Sequence, residues 1–309
     1  MCKNFALNLE QTFHSNGKLL LTGEYLVLDG ATALAIPTLY GQSLDVVSTE
    51  RKSIHWQSID DHENIWYRGE FIIDSDQIIS INSDTTSKIL LNILQRAKDM
   101  NPKFLSDYTG WYITTRMDFP RDWGLGSSST LINNIAQWAE IDAFSLLKNS
   151  FGGSGYDIAV AKNNAPILYT LQEGKVIIEA VELLWNFMDQ LFFVHLNQKQ
   201  DSKEGIARYR NLPINTKQID EISAISRSLP KAQTLSEFEI LIEKHEEIIS
   251  KIIQLPTIKE RLFNDYPNTI KSLGAWGGDF VLATGNDTAY DYFRNKGYST
   301  IIPFRDMMA

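Results

Sequence analysis

The sequence predicts an α+β fold in two lobes. Three observations carry this reading. Strand-like alternation and helix-like periodicity are mixed along the whole chain, and its 309 residues suit about two domains or one bilobal unit. No low-complexity linker and no fixed-period repeat interrupts the pattern. With 43% hydrophobic and 22% charged residues, the composition is that of a soluble globular protein able to bury its core without staples.

Lys18 to Thr22 reads as a first short strand, with leucines at 19, 20 and 21. Gln42 to Ser48, Ile54 to Gln57 and Trp66 to Ile72 read as further strands. Asp84 then suits the N-cap of a helix running to about Met100, with Ile89, Leu90, Ile93, Leu94 and Ala97 on one face. Gly110 to Met117 alternates as a strand. A glycine- and serine-rich turn follows, then a helix from about Ser127 to Glu140 with Leu131, Ile135 and Trp138 at helical spacing. Ala165 to Leu171 and Lys175 to Ala180 form a hairpin pattern around Glu173 and Gly174, and Leu191 to Leu196 is a buried strand.

The later part is more helical. Thr234 to Ile253 is the clearest helix, with Leu235, Phe238, Leu241, Ile242, His245, Ile248 and Ile249 on one stripe. Its glutamates at 237, 239, 243, 246 and 247 read as a solvated face. Phe280 to Ala283 and Thr300 to Phe304 close the chain as strands. The lobe boundary falls near residue 188, giving lobes of 1–188 and 189–309.

Charge and cysteine content narrow the function. A formal net charge of −9 argues against nucleic acid as the main partner, yet leaves room for a small anion held by local cations and helix starts. Cys2 is the only cysteine, which excludes an intramolecular disulfide and a four-cysteine zinc site. The start MCKNFALNLEQTF has no continuous apolar core of a signal peptide, and no segment reaches the roughly 18 apolar residues of a membrane span. A cytoplasmic protein with no membrane partner is expected. The five histidines have no metal-ligand spacing, and His245 lies on an apolar stripe as core histidines do. Most of the seven tryptophans read as core, although Trp123 and Trp276 flank glycine-rich loops where an adenine ring could stack.

Four segments carry chemistry. Asp118 to Thr130 (DFPRDWGLGSSST) lies between a strand and an amphipathic helix. Glycines there let backbone approach a ligand, and the free N–H groups and dipole of a helix start favour phosphate oxygens. A serine-capped helix after a glycine turn fits the same residues, and neither a Walker loop nor a G-x-G-x-x-G fingerprint is present. Ser15 to Tyr25 (SNGKLLLTGEY) sets a lysine between glycines, either at an exposed strand end or reaching into a cleft. In Gly152 to Ala161 (GGSGYDIAVA), Asp157 opens a helical turn as a cap or as a base for a substrate hydroxyl. Ser272 to Phe280 (SLGAWGGDF) leads into a strand through a tight turn or a close ligand approach.

Their order resembles the GHMP kinase superfamily, and the resemblance spans about residues 15 to 285. The family's P-G-K-x-x-L-x-G-E motif appears as Asn16-Gly17-Lys18 to Glu24. Its P-x-x-x-G-L-G-S-S phosphate loop appears as Pro120 to Ser128, and its late glycine motif as Gly274 to Gly278. Gly23-Glu24-Tyr25, Gly153-Ser154-Gly155-Tyr156-Asp157 and Gly277-Gly278-Asp279 are similar to the mevalonate branch, and to phosphomevalonate kinases in particular. The run from Val194 to Lys203 resembles that branch's strand and substrate loop, with Asn197 in place of glycine.

The resemblance implies a ribosomal protein S5 domain 2-like N-terminal lobe, a ferredoxin-like C-terminal lobe, and ATP with Mg2+ as cofactors. It implies a kinase acting on a mevalonate-pathway acid, phosphomevalonate foremost, with mevalonate or homoserine as alternative acceptors. Diphosphomevalonate decarboxylation and a non-catalytic ligand-binding protein of the same fold are further alternatives. Residue by residue, Gly124, Leu125, Gly126, Ser127, Ser128 and Ser129 would cradle the ATP phosphates, with Gly274, Gly277 and Gly278 closing over the nucleotide. Ser128 would ligate Mg2+, and Asp157 would orient or deprotonate the acceptor oxygen. Lys18 would offset transition-state charge beside it. Glu24, Tyr25, Ser154, Gly155 and Lys199 would face the substrate, with Lys203 and Arg208 as further grips on its anionic ends. Three positions depart from the pattern: Asn16 replaces proline, Trp276 intrudes among small residues, and Leu146 stands where many mevalonate kinases carry a Mg2+-binding glutamate.

Overall fold

Two long strands, β1 (Glu10–Leu20) and β2 (Ala33–Thr49), pair with each other and contribute residues to both of two units that interleave along the chain. The computed structural model describes residues 10–75, 77–106, 110–198, 202–274, 276 and 278–309. One unit takes the described part of Met1–Ser15, then Tyr40–Arg121 and Gly126–Lys162. The other takes Asn16–Leu39, Asp122–Leu125 and Asn163–Ala309, so residue 188 lies inside it.

The first unit adds β3 (Ser53–Ile59), β4 (Ile65–Asp74), β5 (Gln77–Ser80), α1 (Thr85–Met100), β6 (Gly110–Met117), α2 (Ser127–Trp138), α3 (Ala143–Ser150) and α4 (Tyr156–Ala161). Its strands run in the order β5-β4-β3-β6-β2, parallel only between β3 and β6. That register sets Val46, Ile113 and Trp56 side by side on three adjacent strands. They bury against Ile93 and Leu94 of α1, Ile132 and Ile135 of α2, Leu146 of α3 and Ile158 of α4. Each such side chain stabilises the fold by about 2 kcal/mol. Asp84 caps α1 as expected, accepting from the Ser87 N–H, and Leu90, Ile93, Leu94 and Ala97 form the buried stripe. Ile89 lies off it, 40% exposed.

The second unit adds a hairpin of β7 (Ile167–Gln172) and β8 (Lys175–Ala180), laid on the start of β2. Glu173 and Gly174 turn it with φ of 50° and 76°, the left-handed pair that a two-residue hairpin needs. After it come β9 (Leu191–His195), α5 (Ser202–Tyr209), α6 (Thr216–Ser228), α7 (Leu235–Ile253), α8 (Ile258–Leu262), β10 (Ile270–Ser272), β11 (Phe280–Thr284), α9 (Asp287–Asn295), β12 (Ile301–Pro303) and α10 (Phe304–Met307). Four of these strands form an antiparallel sheet in the order β10-β11-β9-β12. Central β9 is buried along its whole length, and its sequence is apolar from Leu191 to Val194 before His195.

The glutamates of α7 correct the solvated-face reading. Glu246 is buried on the same stripe as Ile242, His245 and Ile249, while Glu239 and Glu243 accept from the hydroxyls of Thr284 and Thr269 at 2.5 and 2.7 Å. Among the described residues no helix is long and apolar enough to cross a membrane.

Candidate functional site

In the first unit, the sequence between β6 and α4 builds two helix starts on helices that pack together. Gly126 is the N-cap of α2 at φ 87°, with no side-chain cap and no acidic residue in the first turn. The N–H groups of Ser129 and Thr130 turn back to the Gly126 carbonyl at 2.9 and 3.1 Å. The earlier N–H groups of a helix have no acceptor inside it, so an anion is the natural partner at this end. Ser128 is exposed there, and Ser127 and Ser129 are half-buried.

A buried polar seam anchors α2. The Ser15 hydroxyl donates to Asn134 Oδ1 at 2.6 Å and accepts from Asn133 Nδ2 at 2.8 Å, while Thr130 donates to Gln42 Oε1 at 2.7 Å. Helix α4 packs on α2, and Asn133 Nδ2 reaches the Ala161 carbonyl at 3.4 Å. Gly155 is the N-cap of α4 at φ 86°, Ser154 before it is buried, and Asp157 lies half-buried in the first turn. Around Gly152 and Gly153 a Cβ would meet nothing within 4 Å, which leaves open space beside this turn. Leu146 is a fully buried core residue and supplies no ligand.

In the second unit, Asp122 to Leu125, the first half of the glycine-rich segment, is held residue by residue. Asp122 offers its carbonyl to His195 Nε2 at 3.4 Å. Trp123 lies edge-on to Phe280 with ring centroids 5.4 Å apart. The Leu125 carbonyl accepts from the Lys18 N–H at 2.9 Å. Gly124, at φ 66°, presses against Asp279: a Cβ there would lie 2.3 Å from Oδ2. The same carboxylate oxygen lies 3.8 Å from the Cβ position of Gly274, at φ 60°, so one side chain gathers both glycine loops. Gly278 is buried beside it in sequence. The sequence reading left Asp279 out of the site; its place directly after two glycines was the available signal. Gly277 and Lys199 lie outside the described residues, as does the side chain of Lys203.

Glu24 and Tyr25, expected at the substrate, sit inside the second unit. Glu24 is 1% exposed. Its Oε1 accepts from Lys271 Nζ at 2.5 Å, and Lys271 pairs with Glu246 Oε1 at 3.1 Å and donates to the Ser272 carbonyl. Ser272 closes the cluster, donating its hydroxyl to Glu246 Oε2 at 2.6 Å. His245 Nε2 accepts the Gly23 N–H at 3.0 Å and lies 3.2 Å from Glu24 Oε2. Burial pushes Glu24 up to about 7 against the pull of Lys271, and burial raises Glu246 too. Burial also keeps the His245 imidazole neutral, well below its ordinary value. For Lys271 burial works the other way, but Glu24 and Glu246 outweigh it and hold the ammonium above its usual range. Lys271 is absent from the sequence reading, because nothing local marks one lysine in a three-residue strand as buried.

Tyr25 adopts φ 63° and ψ −50°, a conformation costly for a side-chain-bearing residue. Its ring stacks on Tyr209 at 5.5 Å, and its hydroxyl occupies the space a side chain on Gly205 would need. Burial pushes its phenol up to about 12, partly offset by Arg208. Trp276, at φ 58° and 3% exposed, packs with Tyr25, Leu26 and Tyr209, so its ring is part of the core rather than a platform for adenine.

The α2 start suits a phosphate oxygen in its backbone chemistry, with left-handed Gly126 as N-cap, no side-chain cap and no acid in the first turn. Among the described residues no cluster of three or more His, Cys, Asp or Glu is placed to hold a metal ion. A Mg2+ ion carried mainly by phosphate oxygens and water needs only one or two protein oxygens, which the Ser128 hydroxyl can begin to supply.

No family model matches the sequence, and no curated protein does. Solved structures match well. Mevalonate kinase from Methanococcus jannaschii aligns with a TM-score of 0.69 at 15% identity, over 95% of this chain and 97% of that one. Phosphomevalonate kinase from Streptococcus pneumoniae, in complex with phosphomevalonate and AMPPNP, aligns at 0.67 and 15% identity over 93% and 95%. Galactokinase from Lactococcus lactis, complexed with galactose, aligns at 0.66 and 14% identity over 93% and 88%. The chain therefore has the α+β fold of the GHMP kinases, carried along nearly its full length.

Proposed function

We propose that this chain is an ATP-dependent kinase that transfers the γ-phosphoryl group to a small acid, with phosphomevalonate as the favoured acceptor. The observation that carries the reading is the pair of glycine-capped helix starts on packed helices α2 and α4, the first bearing Ser127, Ser128 and Ser129 and the second Asp157. In this reading the α2 start and Gly124 to Gly126 cradle the phosphates, Ser128 ligates Mg2+, and Asp157 orients the acceptor oxygen. Lys18 offsets charge on the transferring group, and Gly274, Gly277 and Gly278 cover the nucleotide. Bound Mg2+ would neutralise charge between the phosphates. Phosphoryl transfer asks the protein mainly for positioning and charge compensation, and these residues offer both. An acceptor phosphate with a second pKa of about 6 is already largely ionised near neutrality, so Asp157 would serve orientation more than proton removal.

Glu24 is assigned a supporting role in this reading. Its enclosed carboxylate suits fixing the Gly23 to Tyr25 turn rather than gripping substrate. A second reading, a ligand-binding protein of this fold without turnover, draws support from Leu146, which offers the core a side chain and a metal none.

Coupled ADP release with Mg2+-ATP tests the proposal, over a panel of mevalonate, 5-phosphomevalonate, diphosphomevalonate, homoserine and galactose. Turnover on phosphomevalonate that is lost in Asp157→Asn is the expected result. Turnover on another member would keep the mechanism and change the acceptor. Nucleotide binding with no turnover on any member would favour the second reading.

A further inference from the structure

Strand β8, with sequence KVIIEA, ends the order β2-β7-β8, and among the described residues no strand pairs with its outer side. All six of its residues are exposed, Val176, Ile177 and Ile178 at 37%, 51% and 40%. Sheet edges are usually blunted by proline, a bulge or unfavourable charge. β8 contains no proline, and its register on β7 runs unbroken from Gln172↔Lys175 to Ile167↔Ala180.

The hairpin determines which backbone groups face outward. Gln172 and Lys175 flank the two-residue turn and form the first hydrogen-bonded pair, after which bonded and non-bonded pairs alternate. Lys175, Ile177 and Glu179 therefore spend their N–H and C=O groups on β7. Val176, Ile178 and Ala180 turn theirs outward.

An antiparallel second copy must match outward residues with outward residues. Pairing Val176 of each copy with Ile178 of the other meets that condition. It sets the two Ile177 side chains together and each Lys175 opposite the other copy's Glu179. The neighbouring allowed registers, with Ile178 or Val176 opposite itself, set Ile177 against Glu179 or against Lys175 and forfeit both charge pairs. We propose that β8 is a homodimerisation edge, on which two copies of this chain pair β8 to β8 in the Val176–Ile178 register. The same register brings the second copy's turn, Glu173 and Gly174, opposite Val181 and Ala180. Those two residues line a groove of about 540 Å³ together with Arg305.

One strand pair buries little area, so the dimer is weak and forms in the micromolar range. Sedimentation velocity over a micromolar concentration series should show the mass rise from 35.2 kDa towards twice that value. Lys175→Glu places like charges opposite each other twice and should weaken association about ten-fold, since two such pairs cost roughly 1.4 kcal/mol. Lys175→Glu combined with Glu179→Lys restores the pairs across the seam, at the loss of the Arg227–Glu179 ion pair at 3.8 Å within each chain, and should recover most of the lost association. Ile178→Pro removes an outward N–H while sparing the hairpin, and should leave monomers. A chain that stays monomeric throughout the series overturns the proposal. So does a dimer indifferent to Lys175→Glu and Ile178→Pro, which would use another surface, and so does failure of the charge swap to rescue.

Discussion

The Asp279 carboxylate fills the space that a side chain on Gly124 would need, with Oδ2 2.3 Å and Cβ 2.9 Å from the position of a Gly124 Cβ. Because Asp279 approaches with its Cβ as well as its carboxylate, it cannot simply rotate away. Gly124→Ala also strains a backbone at φ 66°. Strain and overpacking together should cost about 2–4 kcal/mol. Thermal melts should show that loss, and calorimetry should show Mg2+-ATP affinity reduced at least about ten-fold. Asp279→Ala in the same chain relieves the carboxylate part of the clash, though its Cβ stays 2.9 Å away, and should recover part of both losses, because contacting residues are not additive.

Asp157 and Ser128 make a contrasting pair, since neither belongs to a hydrophobic core. Asp157→Asn should lower kcat by about 10²–10⁴ while leaving the melting temperature nearly unchanged. Ser128→Ala should likewise spare stability, as its side chain is exposed. It should instead raise the Mg2+ concentration needed for half-maximal rate several-fold. An equal fall of rate at all Mg2+ levels would remove Ser128 from the metal.

Much of the fold was legible because its periodic signals are strong. β6, β9, the β7–β8 hairpin and helices α1, α2 and α7 all stand where alternation or helical spacing sets them, within a few residues. β1 was read short because Glu10 to Gly17 is polar, and its outer residues can be polar since they face away from the core. The glycine motifs were legible as local conformations, and each described one has the left-handed backbone that only a turn or cap would ask for, except Gly17 and the buried Gly278. What touches them was not. Asp279 meets Gly124 across 155 positions, and Lys271 meets Glu24 across 247. Local spacing carries no information about such pairs. Glu246 was readable in principle, four residues after Ile242 and three before Ile249, but the helix's four other glutamates suggested a solvated face instead.

Lys271 holds two buried carboxylates, so its removal should be far costlier than its contacts suggest. Lys271→Met leaves Glu24 and Glu246 without a cation and should cost about 3–5 kcal/mol in urea unfolding. Combining it with Glu24→Gln should recover part of that loss, because one fewer buried carboxylate remains unpaired. A Lys271→Met loss below about 1 kcal/mol would mean the cluster is hydrated in solution.

The same cluster should make stability depend on pH in an unusual direction. One ammonium faces two carboxylates, and a proton on Glu24 brings their sum to neutrality. Burial raises Glu24 from its ordinary 4.5 to about 7, so the folded chain binds this proton more tightly than the unfolded chain. Wherever the folded state holds more protons, stability falls as pH rises. The contribution is complete below 4.5 and is lost as pH rises towards 7. Glu246, raised in the same direction, adds to the slope. Glu24→Gln keeps this side chain neutral at every pH and removes one titration. Urea unfolding between about pH 5 and pH 8 should therefore show wild type losing on the order of 2–3 kcal/mol that the variant keeps. Parallel pH profiles for the two chains would mean that Glu24 stays ionised in its enclosed position, with Lys271 alone supplying its compensation.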